Sequence, residues 1–411
     1  MTRVVLCDDE AGRLTPLTDL RASFLVRTGA RTTLERWASA QGFTVACVCI
    51  DESRAALTRE QVGTLSVNDA AAMKGCVAVS GRLVMPLAEV SALAPGEALV
   101  DAAGGGRVVA AKAREGDDAV AVSAVMTGSS AGFKEKRVEG LPVLRRAWDV
   151  IRWRDGCLDL DLKDIARSWG PPGTGAVPGA GVVCVSSAAV FVHASAKVSP
   201  GVVLDAEGGP IVIDENATVR PGSIIVGPAY LGRGSSVLER GLIKAHTAIG
   251  PVCKVTGEVG GTIFQGYANK GHDGHLGDSW VGEWANFGAG TTNSNLLNTY
   301  GEVTATVPVP GASRERTGLQ YLGCIVGDHT KFAICTRIMT GSVFGTGCMV
   351  ATTAAPASSV PAFSWLTDER TQPYRFSKFL EVAKTVMARR KIVPSEAYVK
   401  AMERLTQPTI R

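Results

Sequence analysis

Residues 213–255 read IDENAT VRPGSI IVGPAY LGRGSS VLERGL IKAHTA IGPVCK V when written in groups of six. Ile213, Val219, Ile225, Leu231, Val237, Ile243, Ile249 and Val255 open successive groups without a break. An α-helix does not keep every sixth residue on one face, because six residues turn it by about 600°. A single strand would align them, but strands of this length do not occur in globular proteins. Short strands joined by tight turns satisfy both constraints. Each hexapeptide then forms one flat side of a coil, turns its aliphatic residue inward, and leaves the corners to small residues such as Gly232, Gly234 and Gly250.

Outward from this stretch, the register is expected to return at His275, Val281 and Phe287, with His275 on the inward side, and again at Val326, Phe332, Ile338, Phe344 and Val350. The interval from about Asn293 to Gly323 breaks the period and must loop out of the stack, and long loops in such stacks commonly carry function. After Pro356, residues 374–391 and 396–405 have helical spacing and form a tail expected to cap the open end of the coil. Before residue 170 the signals alternate. Val4–Leu6, Phe43–Ile50, Val77–Ser80 and Val108–Lys112 read as strands, and Thr33–Ala40 and Leu141–Ile151 as helices, which indicates an α/β sheet. The Gly/Pro-rich segment 169–181 reads as a linker. The organisation expected is an α/β domain over 1–180, a β-helix over 181–356 and a helical tail over 357–411.

Length and composition agree with this. A chain of 411 residues exceeds what one core usually accommodates. The 43 basic and 39 acidic residues nearly balance, so charge argues for neither nucleic acid nor a membrane surface as partner. The 47 glycines without a collagen period fit tightly repeated turns. The ten cysteines form no CxxC motif and read as reduced core thiols. No stretch is long and apolar enough to span a bilayer, and the first ten residues hold no long apolar segment, so a cytoplasmic setting is expected.

The hexapeptide pattern resembles the left-handed parallel β-helix acyltransferases, and the handedness is implied by that resemblance. Residues 271–291, GHDGHLGDSWVGEWANFGAGT, are similar to the acetyltransferase signature of the bifunctional N-acetylglucosamine-1-phosphate uridyltransferase/glucosamine-1-phosphate acetyltransferase family. The resemblance implies that His272 is the catalytic base and that His275, Asn286 and Asn295 lie at the sugar site. It also implies a homotrimer that binds acetyl-CoA between neighbouring coils. The N-terminal half resembles a divergent sugar nucleotidyltransferase-like branch through Asp8-Asp9, Leu14-Thr-Pro16-Leu17, Arg21, Arg27 and Leu34-Glu-Arg-Trp37. It departs from that pattern in lacking a Gly-rich phosphate loop. Asp8-Asp9-Glu-Ala-Gly12-Arg13 stands in its place, and Arg21 or Arg27 occupies the usual lysine position.

The chemistry implied is demanding. An amino sugar is mostly protonated at neutral pH, and its amine attacks a thioester only after losing a proton, which suits a histidine. The developing oxyanion needs donors, and the backbone of Gly288, Ala289 and Gly290 is the candidate, with Asp273 or Asp278 to orient the base. Lys270 is assigned to the sugar phosphate, and Ala289, Gly290 and Lys331 to the coenzyme. Asn269, Asn286, Asn293, Asn295 and Asn298 suggest recognition of sugar hydroxyls, with turn formation as the competing reading. Asp8, Asp9, Arg13 and Arg21 are assigned to the nucleotide, and Asp69 and Asp101 are the further carboxylates weighed for Mg²⁺. The activity expected is acetylation of a glucosamine 1-phosphate-like sugar, followed by joining to UTP with Mg²⁺ to give a sugar nucleotide such as UDP-N-acetylglucosamine. The alternatives are a monofunctional acyltransferase with a degenerate N-terminal domain, or a non-catalytic sugar-nucleotide-binding scaffold.

Overall fold

The computed structural model describes residues 1–9, 14–169 and 179–406. Arg13 and most of the 169–181 linker lie outside the described residues. The chain forms two compact units, Met1–Val26 with Arg31–Asp149, and Arg27–Ala30 with Val150–Arg411.

The first unit is built on six strands: β1 (Thr2–Cys7), β2 (Phe43–Cys49), β3 (Val77–Ser80), β4 (Glu97–Asp101), β5 (Arg107–Lys112) and β6 (Lys134–Val138). Their order is β2-β1-β3-β5-β4-β6, and β5 alone runs antiparallel to its neighbours. Val4 and Leu6 face one core with Trp37 and Val79, while Val5 and Cys7 face another with Ala78 and Val100. This is the alternation a strand buried on both faces requires. Helix α1 (Thr33–Ser39) opens with a capping box between Thr32 and Glu35. Helices α2 (Glu52–Val62), α3 (Ala70–Met73), α4 (Ala88–Ser91) and α5 (Asp118–Thr127) complete the layers. The helix expected at Leu141–Ile151 begins instead at Asp149. Val143 is drawn into an antiparallel bridge with Leu83, and the Asp149 carboxylate accepts from the backbone N–H groups of Arg145 and Arg146. The resulting helix α6 (Asp149–Trp169) belongs from Val150 onward to the second unit.

The second unit is a parallel β-helix of triangular coils. Ile213 pairs with Leu231 and Leu231 with Ile249, so each regular coil takes eighteen residues, three hexapeptides. Face 1 contains Ile213, face 2 contains Val219 and face 3 contains Ile225. Inward residues from all three merge into one aliphatic core. The coil then tightens. Ile249 pairs with Phe264 and Val255 aligns with Lys270, fifteen residues on, and the inward position on face 3 falls on Leu276. His275, expected inward, therefore lies on the outer side of face 3, while Leu276 is buried in its place. Val281 pairs with Val326, and the loop between them carries a small antiparallel hairpin, Thr304–Ala305 with Glu315–Arg316.

The three corners differ. At the corner between faces 3 and 1, α6 is tied on by Arg154, which donates to the Gly261 carbonyl at 2.6 Å and to Asp278 at 2.7 Å. The corner between faces 1 and 2 carries Tyr267, Trp284 and His329, all at positive φ, with successive rings stacked. Helices α7 (Phe376–Ala388) and α8 (Glu396–Arg404) cover it through Phe379, which meets the His329 ring edge-on, and Tyr398, whose hydroxyl lies 3.0 Å from His329 Nε2. The tail thus runs along a corner, and face 2 ends in an antiparallel strand, Thr371–Pro373. The corner between faces 2 and 3 carries no helix among the described residues. His272, Asp273, Gly290 and Cys335 are exposed there.

Phe332 packs between Phe287 and Phe344 in the core, with ring centroids 5.0 Å from each. Phe332→Ala is expected to lower unfolding stability by about 3–5 kcal/mol in urea titration, through loss of transfer energy and a residual cavity.

Candidate functional site

His272 stands on the open corner in a four-residue turn of the same length as 220–223 and 238–241 in earlier coils, above a turn that is shortened. Thr256 and Gly257 suffice to link Val255 to Glu258 in the coil below, whereas residues 271–274 link Lys270 to His275. The turn is stacked closely on its neighbours. An added Cβ at Gly274 would lie 2.2 Å from the Thr291 carbonyl oxygen, and one at Gly257 would lie 3.0 Å from that of His272. The next turn is Gly288-Ala289-Gly290. The Gly288 N–H donates to Phe332 and the Gly290 N–H to Asp273, at 3.0 and 3.2 Å. Of the three backbone donors expected for an oxyanion, two are therefore engaged in stacking the coils, and the Ala289 N–H is the one without a hydrogen bond among the described residues.

Lys270, expected to meet a sugar phosphate, is enclosed. It occupies an inward position aligned with Val255, is 1% exposed, and donates from Nζ to the His272 carbonyl at 2.8 Å. Burial pushes its amine down to about 8, against a smaller upward pull from Asp273. Lys331 lies on face 2 beside Asn286, but its Nζ turns away from the His272 corner to the Trp284 carbonyl, and burial pushes its pKa down to about 7. Asn286 sits on the outer side of face 2 between Asn269 and Lys331.

On face 3, His275 and Asn295 meet over Gly277, where an added Cβ would lie 2.6 Å from His275 Nε2 and 2.8 Å from Asn295 Nδ2. His275 Nδ1 is 3.5 Å from Glu258. Asp278 is not available to orient His272. One of its oxygens accepts from Arg154 and the other from Asn295, each at 2.7 Å. Asn293 is structural, since its buried amide bonds both the N–H and the carbonyl of Gly277 and so continues the ladder of face 3. Asn269 accepts from Arg390 of the tail at 3.1 Å, and Asn298 is exposed. Sequence reading missed Arg154. Its signal was weak, one arginine in a charged helix, with nothing to tie it to position 278.

The first unit presents its carboxylates at the carboxyl ends of β1 and β4, and each is claimed by an arginine. Asp8 accepts from the Ser23 N–H at 2.8 Å and from Arg54 at 2.6 Å. Asp9 accepts from Ser80 at 2.6 Å and from both edge nitrogens of Arg82. Asp101 takes a bidentate pair from Arg145 at 2.7 and 2.6 Å. Burial opposes the charge on Arg82, but Asp9, Asp101 and Asp8 more than offset this and raise its pKa. Arg21 is buried and donates to the Leu17 carbonyl at 3.0 Å. Asp69 caps α3. These donors do not fit Mg²⁺, because the oxygens a hard cation would take are already held by guanidinium groups. Among the described residues no cluster of three or more His, Cys, Asp or Glu is arranged to hold a metal.

Residues 4–168 match the sugar nucleotidyl transferase family. The match covers the first unit and most of α6. A bifunctional sugar-1-phosphate nucleotidylyltransferase/acetyltransferase of Sulfurisphaera tokodaii is 31% identical over 139 residues, 33% of this chain. The aligned part spans 34% of that relative's length. Among solved structures, a hexapeptide transferase family protein from Anaplasma phagocytophilum aligns over 54% of this chain and 95% of its own at 12% identity, with a TM-score of 0.20. The acetyltransferase domain of PglB from Neisseria gonorrhoeae, in complex with acetyl coenzyme A, aligns over 90% of this chain and 98% of its own at 11% identity, with a TM-score of 0.18. At those scores the fold rests on the strand pairing described above. The chain thus joins a sugar nucleotidyl transferase-type domain to a hexapeptide β-helix with a helical tail, and no helix among its described residues is long and apolar enough to cross a membrane.

The buried Lys270 makes a prediction about pH. Its pKa is about 8 folded and ~10.4 unfolded, so between those values the unfolded chain binds more protons. The cost of burying the charge is full below about pH 8 and vanishes above ~10.4. The stability of wild type relative to Lys270→Met, measured by urea unfolding, is expected to rise steadily from pH 8 to 10.

Proposed function

We propose that the second unit transfers an acetyl group from acetyl-CoA to the amine of an amino-sugar 1-phosphate of the glucosamine type, with His272 as the base. The observation that carries this reading is the open corner. Two of the three corners are sheathed by helices, and the third exposes a turn with a histidine, beside the unengaged N–H of Ala289. His272 takes the proton the amine must lose. The Ala289 N–H, which makes no hydrogen bond among the described residues, is the donor for the thioester oxygen as it gains charge. His275, Asn295 and Asn286 line the two flanking faces for sugar hydroxyls and phosphate. The outer side of face 3 continues toward its first coils as an apolar stripe, Val183, Val203, Ile224 and Leu242, which suits coverage by a second copy in a homotrimer. The setting proposed is cytoplasmic.

Residues 4–168 match a sugar nucleotidyl transferase family, and UMP transfer from UTP is the activity proposed for the first unit. The arginine-held carboxylates Asp8, Asp9 and Asp101 favour a second reading, in which the first unit binds a sugar nucleotide or serves structurally while the β-helix alone is catalytic.

Coenzyme A release from acetyl-CoA plus glucosamine 1-phosphate, followed with a thiol reagent, tests the main reading. Wild type is expected to turn over, and His272→Ala to lose about 10²–10⁴-fold in kcat with its fold intact. Equal rates in the two would remove His272 from the chemistry. Pyrophosphate release from UTP plus N-acetylglucosamine 1-phosphate with Mg²⁺ separates the two roles of the first unit. Turnover there restores the bifunctional enzyme, and its absence with several sugar phosphates leaves the acyltransferase.

A further inference from the structure

The inward column of face 2 runs Val198, Val219, Val237, Val255, Lys270, Phe287, Phe332, Val350 and Leu366. One member is charged. A methionine of similar length would fill the space between Val255 and Phe287 without the cost of enclosing an ammonium, so packing does not account for a lysine there. What the lysine does is visible at its far end. Nζ passes beneath the open corner and donates to the His272 carbonyl at 2.8 Å, with the Thr256 carbonyl at 3.5 Å. Gly257, at φ +77°, leaves the room for this, because an added Cβ would lie 3.0 Å from both Lys270 Nζ and the His272 oxygen. From the other side the Gly290 N–H donates to the Asp273 carbonyl at 3.2 Å. The His272 turn is thus held at two consecutive carbonyls, one from inside the coil and one from the coil above.

We infer that Lys270 is a positioning residue that fixes the His272 turn from within the core, an inference that rests on His272 being the base. It touches neither sugar nor coenzyme. Its contribution is to keep the imidazole where a bound amine can reach it, and a displacement of about 1 Å at such a group lowers rates by about 10²-fold.

The test is Lys270→Met in the full chain, with wild type and His272→Ala alongside. The variant is expected to keep its circular dichroism and a cooperative thermal transition, to hold KM for acetyl-CoA and amino sugar within about twofold, and to lose about 10–100-fold in kcat. Hydrogen exchange at the Gly290 amide is expected to accelerate, since its acceptor lies on the loosened turn. Unchanged kcat, or unchanged exchange at Gly290, overturns the inference. If Lys270→Met does not fold, Gly257→Ala disturbs the same contact and is held to the same two readouts. Wild type with no coenzyme A release is a failure of the base assignment, and Gly290 exchange then still decides whether Lys270 holds the turn.

Discussion

The structure depends on the stacking distance between one coil and the next. Parallel strands lie about 4.8 Å apart, and every inward side chain, corner and turn must repeat within that spacing. Ile213, Leu231 and Ile249 stack directly because eighteen residues close one circuit. Glycine is required where backbone meets backbone. An added Cβ at Gly288 would lie 2.5 Å from the Ala333 carbonyl carbon, nearer than real contacts allow. This regularity is relaxed in the circuit of fifteen residues from Val255 to Lys270, where Thr256 and Gly257 make a turn of two residues in place of the usual four.

Much of this was legible in the sequence. The eight-fold run from Ile213 to Val255 specified the coil, and the broken period from about Asn293 to Gly323 marked the excursion that carries the antiparallel hairpin. The motif at 271–291 located the corner on which His272 stands. Legibility failed where the period changed length. Counting in sixes through Phe287, Val281 and His275 put His275 inside, whereas the circuit shortened to fifteen residues from Val255 puts Lys270 inward on face 2 and Leu276, aligned with Val259, inward on face 3. Hydrophobicity gave no warning, because a lysine at an inward position is invisible to an aliphatic pattern. The amide cluster misled for a similar reason. Asn293 has the composition of a sugar site, but its partners are the backbone atoms of Gly277.

The first unit shows the same limit in electrostatic form. Asp8, Asp9 and Asp101 stand at the strand ends where an α/β sheet commonly binds ligands. The positions of Asp8 and Asp9 were readable from the strand expected at Val4–Leu6, whereas no strand was expected at Glu97–Asp101. The partners of all three were not readable, since Arg54, Arg82 and Arg145 come from separate segments and pair only in three dimensions. A buried carboxylate held by a guanidinium is a neutral, closed unit, and breaking it leaves a buried charge without compensation.

The ring stack along Tyr267, Trp284 and His329 has a consequence for how the molecule comes apart. In a solenoid each repeat touches only its neighbours, so stability is added link by link and ends can fray independently. Here Arg390 reaches back to Asn269, Phe379 and Tyr398 meet His329, and Phe379 also meets Phe363. One short pair of helices therefore splints several circuits together. The coils from Asn269 to Phe363 are coupled to a single event, the release of the tail, and should melt as one block while the earlier coils retain the graded behaviour of a repeat array.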